Sequence, residues 1–172
     1  PIVTSGARSG IPHSTFRRQK LAQGDCVFIE ISASYQRYSA PALRAVSVGP
    51  PGDDVRRAFD ACYASVTTLC EHLRAGVSSR DAARAAGKAL RAVEPDLVWH
   101  GYYAYSVGLG FPVMCCDADA DITEKTDYAL EAGMVFHCNT SLRKLGVFGV
   151  TLGDTVLVTD TGHEVLTTIP RE

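Results

Sequence analysis

The hydrophobic period of this chain changes twice, and the order of the changes restricts the fold. Extended runs come first, Cys26-Val-Phe-Ile-Glu-Ile-Ser32 and then residues 44–48, separated by an irregular stretch at 35–42. Gly49-Pro-Pro-Gly52 breaks the chain. Apolar residues then recur at helical spacing, at Val55, Phe59, Cys62, Val66, Leu69, Cys70 and Leu73. Asp53 or Asp54 can cap this helix, and Gly76 ends it. Ser78-Ser-Arg-Asp81 places an acidic residue three positions after a serine, a relative of the capping box. It opens a second, alanine-rich helix that runs to residue 93 and stops before Pro95. Beyond it, residues 102–109, 135–139, 149–152 and 154–159 read as strands. Asp160-Thr-Gly-His163 turns the chain into a closing strand over 164–169. Residues 1–24 read as a strand and a polar loop. Strands, a helical hairpin and strands again predict an α+β domain, with helices covering one face of a curved sheet.

The bulk numbers exclude several classes. A chain of 172 residues with 46% apolar and 21% charged residues suits one domain with a real core. Net charge is −2 with both signs mixed, so no basic surface points to nucleic acid. No apolar run approaches the ~18–20 residues of a membrane span. The start, Pro1-Ile2-Val3-Thr4, is neither a signal peptide nor a transit peptide, and a cytoplasmic location is expected. None of the six cysteines forms a Cys-x-x-Cys pair, and buried thiols in a reducing compartment are expected. Cys115-Cys116 stands apart, because it follows a glycine-rich turn where a pocket could lie. The histidines lack zinc-ligand spacing, and neither metal nor cofactor is expected.

Three linked C-terminal segments carry a family resemblance. They are Leu130-Glu-Ala-Gly-Met-Val-Phe136, Gly153-Asp-Thr-Val-Leu-Val-Thr159 and Gly162-His-Glu-Val-Leu-Thr167. In the middle stands Tyr105-Ser-Val-Gly-Leu-Gly-Phe-Pro112. At the front are Pro12-His13, Leu21-Ala-Gln-Gly-Asp25 and Arg44. In this order they resemble the pita-bread superfamily of creatinases, Xaa-Pro aminopeptidases and methionine aminopeptidases, and most nearly its creatinase-like and ectoine-hydrolase-like members. The resemblance implies a pita-bread fold with a curved, mostly antiparallel sheet and helices on one face. It implies that residues 1–172 form the C-terminal, catalytic-type domain, without the helical portion that precedes the Pro-His loop and without an N-terminal creatinase domain. A homo-oligomer, or a second chain supplying that portion, is the expected partner.

The resemblance also implies where the chain departs from its family. In the metallopeptidases, positions 30, 41, 105, 139 and 153 would hold Asp, Asp, His, Glu and Glu around two metal ions. Here they are Glu30, Pro41, Tyr105, Asn139 and Gly153. Two dications need several anionic oxygens, and one carboxylate does not supply them. No dinuclear metal site is therefore expected.

Other chemistry is expected from the residues that remain. By resemblance to creatinase-like members, His13 would take a proton from water and return it to a leaving nitrogen, as a group titrating near neutral pH can; otherwise it is a surface-loop residue. Strand alternation puts His137 on the face of Asn139, as a second proton carrier or a substrate donor. Glu30, Arg44, Tyr103, Tyr105 and Asn139 are substrate-binding candidates, with Arg44 able to clamp a carboxylate bidentately. His100 beside Trp99 ranks below His13. Three functions stay open: a metal-independent hydrolase cleaving a C–N bond in a small charged metabolite, a silent domain that binds a peptide or protein, and a lyase on the same scaffold.

Overall fold

A computed structural model describes residues 1–93, 95–109 and 120–171. Cys115, Cys116 and the Gly110-Phe-Pro112 end of the middle motif lie outside the described residues. The strands are β1 (Ile2–Ser5), β2 (Cys26–Tyr35), β3 (Tyr38–Ser47), β4 (Ala104–Ser106), β5 (Val135–Lys144), β6 (Phe148–Val158) and β7 (His163–Val165). They form one sheet in the order β1-β2-β3-β6-β5-β4, with β7 paired to β6 and every pairing antiparallel. The helices are α1 (Asp53–His72) and α2 (Ser79–Leu90). Ser78 caps α2 through its hydroxyl, which accepts from the Asp81 N–H at 3.2 Å. No side chain caps α1, although Asp53 and Asp54 lie in its first turn.

The stretch at 35–42 is not irregular. Gln36 and Arg37 form a two-residue hairpin with φ of 48° and 71°, and β2 pairs with β3 along its whole length. Such turns normally declare themselves by Asn-Gly or Asp-Gly, and Gln-Arg gives no such signal. β6 also runs unbroken through Gly153, where two shorter strands were expected.

Both long central strands alternate in character. Phe136, Cys138 and Leu142 of β5, with Val150, Leu152, Val156 and Val158 of β6, pack against Ala58, Cys62, Val66, Leu69 and Cys70 of α1 and the alanines of α2. The other face carries His137, Asn139, Ser141 and Arg143 from β5, opposed by Thr155, Gly153, Thr151 and Gly149 from β6. These side chains are polar or absent, yet the four from β5 are all buried. Burial of polar groups is costly unless they are used, so this polar face is where a site is to be sought. The thiols of Cys26, Cys62, Cys70 and Cys138 are free and buried, as expected.

Candidate active site

The five family positions converge on the polar face. Asn139 of β5 pairs with Gly153 of β6, Gly153 with Leu43 of β3, and Leu43 with Glu30 of β2. Tyr105 of β4 pairs with His137. Pro41 lies in β3 and cannot donate to the sheet; its carbonyl instead accepts the Thr155 hydroxyl at 2.8 Å.

His137 occupies the centre of this face. A Cβ placed on Gly153 would stand 2.8 Å from His137 Cε1, 3.1 Å from Nε2 and 2.9 Å from Asn139 Cβ. The imidazole therefore lies in the space that a side chain at 153 would need. The ring is fully buried, and neither nitrogen has a hydrogen-bond partner among the described residues. The main chain of Asp154 lies close to the ring without completing a bond. Burial lowers the His137 pKa to about 3, with Asp154 opposing and the charges of Arg44 and His100 assisting. The ring is neutral at pH 7.

An aromatic wall extends from His137. Its ring lies 5.2 Å from that of Tyr105, Tyr105 lies edge-on to Tyr102 at 6.0 Å, and Tyr102 stacks on His100 at 4.1 Å. The backbone sets this arrangement. Val98 pairs with Arg143, and the Asn139 N–H donates to the Tyr103 carbonyl, so residues 98–106 run along the edge of β5. Desolvation, then the Arg143 charge, lower the His100 pKa to about 4, with the Asn139 side chain opposing and His13 adding to the lowering. His100 is open to solvent, which screens those charges, so it is neutral at pH 7 by a smaller margin than His137.

His13 is exposed and has a φ of 48°, an uncommon conformation for a residue with a side chain. The turn before it is held down by close packing. The Gly149 N–H donates to Ser9 Oγ at 2.8 Å, and a Cβ on Gly149 would meet the Ser9 carbonyl oxygen at 2.1 Å. This places the Pro12-His13 loop near enough to His100 for the two charges to interact.

Two sequence candidates lie elsewhere. Arg44 faces the other side of the sheet and uses all its donors there. It bonds Asp154 Oδ1 at 2.7 Å and the carbonyls of Leu43, Gly153, Ile169 and Pro170 at 2.6–2.7 Å. Asp154 also accepts from Thr167 and Arg171, so the network fastens the C-terminal segment to the sheet. Tyr103 is buried in the core against Trp99, and its hydroxyl donates to Glu124 at 2.9 Å. Neither is free to meet a ligand beside Glu30, Tyr105, His137 and Asn139. Sequence reasoning did not single out Tyr102 or Arg143, which also stand at this face, and it ranked His100 below His13. The strand was expected to end at 139; carried on to Lys144, its alternation would have put Arg143 on the face of His137.

A cleft of about 840 Å³ opens on the helix side, lined among others by Ile29, Ile31, Val46, Val55 and Phe59. It is mainly apolar and its Arg44 is already satisfied, so it lacks the proton carriers of the polar face. Among the described residues, no group of three or more His, Cys, Asp or Glu is placed to hold a metal ion. No helix among them is long and apolar enough to cross a membrane.

The Metallopeptidase family M24 model matches residues 1–160. The chain belongs to this family. It is 27% identical to the ectoine hydrolase of Halomonas elongata, covering all of this chain and 43% of the relative. It is 26% identical to the Xaa-Pro dipeptidase of Pyrococcus furiosus, covering 99% of this chain and 48% of that one. Among solved structures, the X-Pro aminopeptidase of Thermotoga maritima aligns with a TM-score of 0.88 at 26% identity, over 99% of this chain and 47% of the other. The pita-bread fold is thereby shown. The chain spans about half the length of the curated relatives it matches.

Proposed function

We propose that this domain serves a metal-independent hydrolase that cleaves a C–N bond in a small charged metabolite. The observation that carries the reading is a neutral imidazole in the space a side chain at a ligand position would need: His137 fills the volume over Gly153. The donor set does not fit two dications, since only Glu30 is anionic among the five family positions. The likeness to ectoine hydrolase supports a hydrolase that acts on a small metabolite.

The proposed step is hydrolysis of an amidine carbon. Glu30 pairs with the amidinium. A water oxygen bonds to the central carbon while its proton passes to His13, the exposed imidazole. The tetrahedral carbon then expels one nitrogen, which takes that proton back, leaving an amide and an amine. His137 and Asn139 hydrogen-bond the oxygen as charge develops on it. The buried ring of His137 suits a neutral donor or acceptor better than a proton carrier at pH 7, which favours the second of the two roles expected for it.

We also infer that a second chain or a further part of the polypeptide covers the apolar cleft beside α1. A panel of small guanidino and cyclic-amidine carboxylates, ectoine included, followed by proton NMR, tests the main reading. Conversion of at least one, slowed about 10²–10⁴-fold by His13→Ala, is expected. A folded protein that converts none of them and binds peptides at this face would overturn it.

A further inference from the structure

The chain has two buried arginines on opposite faces of the sheet, and their states differ. Arg44 is 9% exposed with every donor engaged. Arg143 is 8% exposed, and its Nε is buried without a hydrogen-bond partner. Among the described residues no carboxylate forms an ion pair with it. Its guanidinium lies over the Phe28 ring, 4.7 Å from the centroid. A cation on an aromatic face gains some attraction, but that contact leaves the in-plane Nε–H unused. A buried charge without a partner is costly, and proteins rarely keep one without use.

The position of Arg143 suggests the use. It stands on the same face of β5 as His137 and Asn139, and it pairs with Val98, two residues before His100. It is within charge range of Glu30, Tyr102 and His100. Glu30 is too far for an ion pair with it and stays available to a cation. The face thus offers one separated acceptor and one guanidinium with an unfilled Nε–H, flanked by a stacking wall.

We propose that Arg143 is the anion-binding residue of this site, holding the carboxylate of a zwitterionic substrate whose cationic end pairs with Glu30. The planar guanidinium can present two parallel N–H donors to the two carboxylate oxygens. This rests on the reading that the substrate is a small charged metabolite, and it narrows that class to molecules bearing both charges.

The test is equilibrium binding to the intact protein, using benzoate as the probe and benzamide as its neutral counterpart. In 15N-labelled protein the Arg143 Nε–H resonance should shift and saturate with benzoate and stay still with benzamide. R143M should weaken benzoate binding about tenfold or more, the scale of losing a charge-assisted hydrogen bond, and R143K should restore part of it. No saturable shift at Arg143 overturns the proposal, as does equal benzoate affinity in R143M and wild type. If R143M does not fold, the wild-type resonance alone decides. Benzoate binding at Arg143 without turnover of any amidine would sink the hydrolase reading and leave this one standing. Turnover that is indifferent to the substrate's carboxylate would do the reverse.

Discussion

The His137 imidazole occupies the volume that any side chain at position 153 would need, with Cε1 only 2.8 Å from where a Cβ would stand. The missing side chain at Gly153 and the seat of the His137 ring on the neighbouring strand are thus one packing arrangement. Gly153 has extended backbone, so the requirement for glycine is space.

Gly153→Ala should therefore destabilise the protein by about 1–3 kcal/mol through overpacking. Part of the loss should vanish in the His137→Ala background, where the ring is gone and the approach to Asn139 Cβ at 2.9 Å remains. Urea denaturation of the four proteins in the cycle measures the coupling. A neutral Gly153→Ala single variant would show that the ring moves aside freely.

His137 also predicts a pH dependence. Its folded pKa, about 3, lies below the ordinary histidine value of 6.5. The unfolded chain therefore binds a proton that the folded chain refuses. Stability is fully present above about pH 6.5 and falls as pH drops toward 3, by at most about 1.4 kcal/mol per unit from this group. His137→Gln should flatten that slope. An imidazole of His137 that titrates near 6.5 by NMR would contradict the burial argument.

The Asp154 network should dominate at lower pH. Burial alone would raise this carboxyl, but the bonds from Thr167 and Arg44, with the charges of Arg44 and Arg171, outweigh it and hold the pKa below the usual value. Its contribution is present above about pH 4 and is lost as pH falls through the depressed folded pKa. Asp154→Asn leaves two arginines facing a neutral amide, and should cost about 3–5 kcal/mol in thermal or urea unfolding. Unchanged stability would mean that the C-terminal segment is not held this way.

His13 and Glu30 should separate chemistry from binding. His13→Ala should lower kcat about 10²–10⁴-fold. As an exposed loop residue it should change stability by only about 0.5 kcal/mol. Glu30→Gln should raise KM more than it lowers kcat. The reverse pattern would move the proton transfer to Glu30.

The fold was legible because its signals are local. The α1 stripe from Val55 to Leu73, the Ser78 cap and the Gly153–Thr159 motif each follow from spacing or turn chemistry. The β2–β3 hairpin was hidden because Gln36 and Arg37 adopt left-handed conformations that their residue types do not advertise. The site was half legible. Alternation along β5 put His137 with Asn139 correctly, and the positions of Glu30 and Tyr105 came from the resemblance. What Arg44 does could not be read, because its partners at 153–154 and 169–170 are more than a hundred residues away. The approach of His100 and Tyr102 to this face could not be read for a similar reason: the pairing of Val98 with Arg143 that brings them there is a tertiary contact.

The central claim is that this face works without a dinuclear metal centre, and elemental analysis of the purified, dialysed protein alongside its turnover tests it most directly. The account predicts well under one equivalent of zinc, manganese, iron or cobalt per chain, and an unchanged kcat/KM after chelation and after metal is added back. Two stoichiometric equivalents surviving dialysis, with activity lost to chelator and restored by metal, would contradict it.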